Sequence, residues 1–178
     1  MEISPTELPG LCVIHPRIFE DARGSFVKTY HAPTFQAAGL QFEPREEFFS
    51  FSRRHVIRGM HFQLPPHTQA RLVACLAGRI LDVVVDLRQR QPTFRRVFSR
   101  ELTATGHEMV FIPEGFAHGF LALEENTLVY YVANRPHSPS HDAGISYDSF
   151  GFDWPVKNPV LSERDQKFPA LREFQSPF

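Results

Sequence analysis

A tight turn runs directly into an apolar strand in the stretch Pro113-Glu114-Gly115-Phe116-Ala117-His118-Gly119-Phe120. Pro113 and Gly115 favour the turn, because proline fixes φ and glycine adopts positive φ at little steric cost. Apolar residues follow, which predicts a strand over residues 118–123. His118 is the polar residue of that strand, so the stretch predicts a histidine held beside a turn.

Short apolar segments recur along the chain about every ten residues and predict strands. These segments are 11–15, 25–30, 45–52, 55–63, 71–76, 80–87, 93–101, 108–112, 118–123 and 127–133. Residues 33–39 predict a short helix, and the tail from about residue 135 is proline-rich and irregular. Many short strands with few helices indicate a sandwich or barrel. Because Pro-x-Gly-x-x-His turns recur in cupin-type barrels, we predict an all-β, cupin-type jelly-roll barrel of antiparallel strands with a few short helices.

Composition limits the classes of protein that fit. The 178 residues are 42% hydrophobic and carry a net charge of −1. This length suits one domain, so residues 1–178 are interpreted as a single jelly-roll domain. The balanced charge gives no general attraction for nucleic acid or an anionic membrane.

The expected location is cytoplasmic. The first residues do not have the pattern of a signal peptide, and no apolar run is long enough to span a bilayer. Cys12 and Cys75 both lie in apolar runs, as expected of reduced core residues.

A second strand also contains a histidine, in the stretch Val56-Ile57-Arg58-Gly59-Met60-His61-Phe62-Gln63. Taken alone, a histidine in such a strand is more often structural and neutral than functional. Its interpretation therefore depends on the other motifs of the chain.

Five motifs occur in one order. They are Arg-Gly-Met-His-Phe-Gln (58–63), Asp-Leu-Arg (86–88) with Pro-Thr-Phe (92–94), Pro-Glu-Gly-Phe-Ala-His-Gly-Phe (113–120), Asp-Trp-Pro (153–155) and Leu-Ser-Glu-Arg-Asp (161–165). On these motifs the chain resembles the RmlC-type dTDP-4-dehydrorhamnose 3,5-epimerase family, from about residue 5 to about residue 171. The resemblance implies an isomerase of deoxysugar biosynthesis that uses no cofactor or metal. It would epimerise C3 and/or C5 of a nucleotide-diphosphate-4-keto-6-deoxyhexose through an enolate.

The resemblance also implies catalytic residues. Epimerisation beside a ketone needs a base on one face of the sugar, an acid on the other and a group that stabilises the enolate. By resemblance His61 is the base, Asp165 orients it by accepting its second N–H, and Tyr131 is the acid. His118 matches a supporting histidine. Arg71 stands where the family has a lysine, so the positive charge is kept, but a guanidinium places its donors differently and cannot act as a base.

Two arginines match diphosphate ligands of the family. Arg23 and Arg58 carry guanidinium groups, which can donate paired hydrogen bonds to phosphate. Alternation along a strand would place Arg58 and His61 on opposite faces, so we predict a bulge or kink at Gly59 that brings both into one cavity. The other substrate-binding candidates are Phe26, Lys28, Glu46, Phe48, Ser50, Gln63 and His137.

The chain departs from the family where the sugar and the base are bound. Residues 46–50, Glu-Glu-Phe-Phe-Ser, replace the common Gln-Asp-Asn-His-Ser, so an aromatic ring stands in place of an amide. Phe26 keeps an aromatic ring of the base site, but Lys28 stands at a glutamate position and Pro136-His137 at a tyrosine pair. Glutamate accepts from thymine N3–H, whereas lysine only donates. The nucleotide is therefore interpreted as dTDP or CDP, unless Lys28 faces solvent.

Several alternatives stay open. A metal-dependent cupin is one, although residue 63 is glutamine and the usual His-x-His pair is absent. Its candidate ligands are His61, His67, His118 and Glu114. A mono-epimerase or a 3,4-ketoisomerase would share the scaffold, and a non-catalytic sugar-nucleotide binding module is an alternative from another class. The resemblance further implies a homodimer with exchanged N-terminal strands, in which Arg23 and Phe26 serve the partner's site.

Overall fold

The computed structural model describes residues 1–178 and consists mainly of antiparallel strands. The strands are β1 (Glu2–Pro5), β2 (Cys12–His15), β3 (Ile18–Asp21), β4 (Gly24–Val27), β5 (Glu46–Ser52), β6 (Ile57–Gln63), β7 (Arg71–Ala77), β8 (Arg79–Asp86), β9 (Val97–Thr103), β10 (Met109–Ile112), β11 (Phe116–Ala122), β12 (Thr127–Ala133) and β13 (Asp142–Gly144). One short helix, α1 (Ala32–Ala37), and one 3-10 turn (Asp165–Lys167) complete the elements.

Two sheets form the barrel. The first has the order β1-β2-β10-β7-β12-β5, and the second has the order β13-β6-β11-β8-β9. Strands β3 and β4 form a hairpin of their own. Buried side chains from both sheets, such as Val73 and Val129 from the first and Val84 and Phe120 from the second, form one core between them. The predicted all-β jelly-roll fold is confirmed.

The sequence of strand β8 is apolar on both faces because both faces are buried. Side chains alternate along a strand, so Ile80 and Val84 enter the core between the sheets. Val83 and Val85 point the other way and join a second apolar cluster, which the C-terminal segment covers. Both faces of the five-stranded sheet are therefore buried at this strand.

The C-terminal segment is mostly irregular and packs closely on the second sheet. Phe174 and Phe178 approach Phe62 of β6 with ring centroids 5.0 and 5.9 Å apart. Strand β13 pairs with β6, and Val160 bridges to Val56 just before β6 begins. The strand that carries His61 is therefore held on its outer side by this segment.

A few details differ from the predictions. Strand β1 was not expected, because Glu2 to Pro5 carries little apolar pattern, yet it pairs with β2. The strand expected over 93–101 begins only at Val97, since Thr93 turns back to bond Asp86 and Arg95 has φ of 67°. The strand expected over 25–30 ends at Val27.

Cys12 and Cys75 are both free and buried, as predicted. Neither the six-residue helix α1 nor the 3-10 turn could span a bilayer.

Candidate active site

Strand β6 contains the predicted irregularity. In its pairing with β11, His61 lies opposite His118 and Arg58 lies opposite Phe120, so β6 has one more residue than β11 over this interval. The bulge centres on Gly59, where an added Cβ would lie 2.6 Å from the Cα of Gly119. Only glycine fits this close approach of two backbones. The prediction of a bulge at Gly59 is confirmed.

The bulge brings Arg58 and His61 to the wall of one cavity, whose volume is about 470 Å³. Val56 and Ile57 also line it, and the remaining wall comes from residues 160–162, from Arg164 and from Asp165, the first residue of the 3-10 turn. Arg58 donates to the hydroxyl of Ser52 at 3.0 Å, which fixes its guanidinium at the edge of this cavity. Arginine and histidine therefore face the same space despite their odd spacing.

His61 is held by Asp165. The distance from His61 Nε2 to Asp165 Oδ1 is 2.9 Å, and the backbone N–H of Gly59 donates to the other carboxylate oxygen at 3.2 Å. Burial raises the pKa of Asp165, but the hydrogen bonds and charge of its partners outweigh burial and lower the pKa to about 2. The carboxylate is thus ionised and can only accept, so Nε2 carries a hydrogen and Nδ1 of the neutral ring keeps its lone pair.

Burial lowers the pKa of His61, and the charges of Arg164 and Arg71 lower it further, while Asp165 opposes the shift. The net direction is downward, so the imidazole is neutral at pH 7. His61 lines the cavity, and a neutral imidazole with a free lone pair on Nδ1 can accept a proton.

Tyr131 projects from β12 of the opposite sheet. Its ring lies 6.0 Å from that of His118, the cross-strand neighbour of His61. Burial, together with the charge of Asp82, raises the pKa of Tyr131 well above the usual range of tyrosine. Phe48 of β5 stacks on the tyrosine ring, with centroids 4.7 Å apart and planes 12° apart. Tyr131 therefore keeps its phenolic proton and can act as a donor.

His118 belongs to a buried pair that the sequence did not predict. Its Nε2 lies 2.7 Å from Asp82 Oδ2, and both side chains are inaccessible or nearly so. The second oxygen of Asp82 has no hydrogen-bond partner. An acidic residue inside the most apolar strand of the chain was the available signal, since buried carboxylates require partners.

Arg71 projects from β7 beside the tyrosine. Its Nε donates to Gln69 at 2.9 Å, and burial lowers its pKa, although a guanidinium stays charged in proteins. Together with Glu46, Phe48 and His137 it surrounds a cavity of about 260 Å³. The charge of Arg71 thus reaches both the histidine and the tyrosine.

Two further candidates have mainly internal contacts. The amide of Gln63 donates to the carbonyl of His67 at 2.7 Å and accepts from the backbone of Ser138 at 2.6 Å, so it ties two loops together. The hydroxyl oxygen of Ser50 is buried beside Tyr131. Their roles in substrate binding stay predictions.

The hairpin residues are not brought to this cavity within one chain. Arg23 and Phe26 line a separate surface cavity under the β3–β4 hairpin, and Arg23 pairs with Asp21. Lys28 follows the hairpin and is exposed.

Arg164 is a further site residue that the sequence did not predict. It reaches Asp142 at 2.5 Å and Asp165 at 3.4 Å, and it lines the cavity of His61. The sequence marks it only as the fourth residue of the Leu-Ser-Glu-Arg-Asp motif, and its contact with Asp142 depends on the pairing of β13 with β6.

The side chains form no group of three or more His, Cys, Asp or Glu that could hold a metal ion. His67, a candidate ligand, stacks instead on His141 with ring centroids 4.2 Å apart. Another candidate, Glu114, accepts a hydrogen bond from Thr68 at 2.5 Å.

Comparisons with known proteins agree over nearly the whole chain. The sequence model of the family described as dTDP-4-dehydrorhamnose 3,5-epimerase matches residues 5–173. The dTDP-4-dehydrorhamnose 3,5-epimerase of Methanothermobacter thermautotrophicus is 39% identical over 173 residues, which are 94% of this chain and 93% of that protein.

Two solved structures are similar in fold. RmlC of Legionella pneumophila, in complex with dTDP-4-keto-L-rhamnose, superposes with a TM-score of 0.93 at 32% identity, covering 98% of this chain and 94% of that one. ChmJ of Streptomyces bikiniensis, a 3'-monoepimerase in complex with dTDP-quinovose, superposes with a TM-score of 0.89 at 29% identity, covering 95% and 87%.

Proposed function

Because the chain belongs to the dTDP-4-dehydrorhamnose 3,5-epimerase family, we propose that it epimerises C3 and C5 of dTDP-4-dehydro-6-deoxyglucose. One observation carries the proposal. A neutral histidine held by a buried carboxylate projects from one sheet, and a protonated tyrosine projects from the other. Inversion beside a ketone needs this pair of a base and an acid on opposite faces of the sugar.

The steps follow from the protonation states. Nδ1 of His61 removes the proton beside the C4 ketone, and Asp165 stabilises the imidazolium that forms. Negative charge then develops on the C4 oxygen, where the guanidinium of Arg71 stabilises the enolate. Tyr131 returns a proton from the opposite face, which inverts the carbon. No step requires an oxidant or a metal.

The diphosphate is bound by arginines. Arg58 and Arg164 line the cavity of His61, and paired guanidinium groups suit the charge and geometry of phosphate oxygens. Arg23 is proposed to complete this site from the hairpin of a second subunit.

We propose a homodimer for that reason. Apolar rings are exposed at two places. Phe26 on the hairpin is 61% exposed, and Phe49 and Phe51 on the edge strand β5 are 63 and 61% exposed. Each location holds a pair of rings, since Phe26 lies 6.2 Å from Phe19 and Phe49 lies 5.8 Å from Phe51, and exposed apolar patches mark interaction surfaces. A cytoplasmic location also stays a proposal, supported by two free buried cysteines.

Sedimentation tests the dimer. We expect the protein to sediment as a dimer at micromolar concentration, and Phe26→Glu to shift it toward the monomer with loss of turnover. Glu20→Gln on the same hairpin is the control and should remain dimeric. A wild-type monomer with full turnover would contradict the exchange of hairpins.

An assay by NMR in deuterated water tests the reaction. We expect dTDP-4-dehydro-6-deoxyglucose to take up deuterium at C3 and at C5 with inversion. The CDP analogue is assayed in parallel, because Lys28 stands at a glutamate position of the family and is exposed in the single chain.

Each other outcome identifies an alternative. Inversion at one carbon would indicate a mono-epimerase, which the similarity to ChmJ favours as the second candidate. Formation of a 3-keto product would indicate a ketoisomerase. Absence of exchange at both carbons, with the sugar nucleotide bound, would indicate a binding module and contradict the proposal.

A further inference from the structure

The phenyl ring of Phe168 packs edge-to-face with the imidazole of His61. It follows the 3-10 turn that carries Asp165, and the two ring centroids lie 5.7 Å apart with planes 71° apart. This edge-to-face geometry is favourable for aromatic rings. The same short segment therefore supplies both a carboxylate and an aromatic ring to one histidine.

Two other neighbours fix the phenyl ring. It occupies the space that a side chain at residue 144 would need, since a Cβ added to Gly144 would overlap two of its ring atoms. Gly144 is itself the β13 partner of His61 in register. On another side, the guanidinium carbon of Arg164 lies 5.5 Å from the ring centroid. Phe168 is thus held by β13 and by Arg164 while it contacts the imidazole.

We propose that Phe168 is a positioning residue that fixes the plane of His61 and shields one side of it from water. The hydrogen bond to Asp165 fixes one atom, Nε2, but leaves the imidazole free to tilt about that contact. A second contact on the ring defines the direction of the Nδ1 lone pair. This inference rests on the proposed function only where it concerns turnover, because the contact itself does not depend on the reaction.

Several charged or titratable groups lie around His61 or contact its immediate neighbours, and the test has to leave them in place. They are Asp165 in the 3-10 turn, Arg164 just before it, Asp142 of β13, Arg58 of β6, Arg71 of β7, His118 of β11 and Tyr131 of β12. Phe168→Leu changes none of these side chains. It keeps an apolar side chain over Gly144 and removes the aromatic edge, the shield and the cation–π contact.

Titration of the His61 imidazole by NMR is the first readout, and it needs no activity. In the wild type we expect a pKa below the usual value of about 6.5, in the direction that burial dictates. In Phe168→Leu the pKa should rise toward that value, because water reaches the imidazole and favours its charged form.

Turnover is the second readout. We expect Phe168→Leu to lower kcat about tenfold with little change in KM, since a base held at the wrong angle reacts slowly. The acidic limb of the pH–rate profile should move to higher pH. The base is active only when neutral, and a raised pKa keeps His61 protonated up to a higher pH. Absence of turnover in the wild type would count against the proposed function, whereas the titration would still decide the positioning role.

Phe174→Leu is the matched control. Phe174 comes from the same C-terminal segment and packs on Phe62 at 5.0 Å, away from the imidazole. It should lower thermal stability while leaving the pKa of His61 and the pH profile unchanged. Equal pKa values of His61 in wild type and in Phe168→Leu, or the same shift in both leucine variants, would overturn the proposal.

Discussion

The His61→Asn variant is expected to lose about a thousandfold in kcat while binding dTDP almost as tightly as the wild type. Asparagine can still donate a hydrogen bond toward Asp165, so the buried carboxylate keeps a partner. It has no nitrogen that accepts a proton near neutral pH. The loss therefore reports the missing base and not a collapsed site.

The measurement is deuterium uptake at C3 and C5 in deuterated water, with calorimetric titration of dTDP. His67→Asn serves as the control, because His67 stacks on His141 outside the cavity and should retain full exchange. Exchange in His61→Asn at the wild-type rate would remove His61 as the base. Loss of dTDP binding along with exchange would indicate that the substitution damaged the site.

The Tyr131→Phe variant is expected to keep proton removal but to lose inversion by about a hundredfold or more. Phenylalanine preserves the stack on Phe48, so the packing changes only by one hydroxyl. The proton can still leave to His61 and return from it on the same face. Deuterium should then enter the substrate without a change in its stereochemistry.

NMR of the recovered substrate separates exchange from inversion in this variant. Tyr130→Phe is a matched control, since Tyr130 is the adjacent residue on β12 and its hydroxyl instead donates to Glu47 at 2.9 Å on the outer face. That variant should invert normally. Normal inversion in Tyr131→Phe would show that another group delivers the second proton.

The strands were predictable because their signal is local. Residues 80–87 alternate between two buried faces, and 127–133 are also rich in apolar and β-branched side chains. Strand β1 lacks that signal and forms only because β2 offers an edge to pair with. The local sequence pattern thus predicts a strand when the strand's own apolar side chains drive its burial. It misses a strand that forms only because a neighbouring strand offers a free edge.

The candidate site was predictable only in part. The bulge at Gly59 followed from the need to place Arg58 and His61 together, and the contact of His61 with Asp165 followed from the resemblance. The pair of His118 with Asp82 joins residues 36 positions apart. Contacts of this kind depend on sheet register, which a single sequence does not specify.

Gly59 of β6 and Gly119 of β11, on neighbouring antiparallel strands of one sheet, depend on each other. A side chain on Gly59 would collide with the backbone of Gly119, and a side chain on Gly119 would collide with the Met60 sulfur and with the backbone of Arg58 and Gly59. Neither position can accept a larger residue while the other keeps its place. The strand of His61 can therefore be moved into another barrel only together with β11. The same constraint applies to the divergence of such a barrel, in which the two strands have to change together.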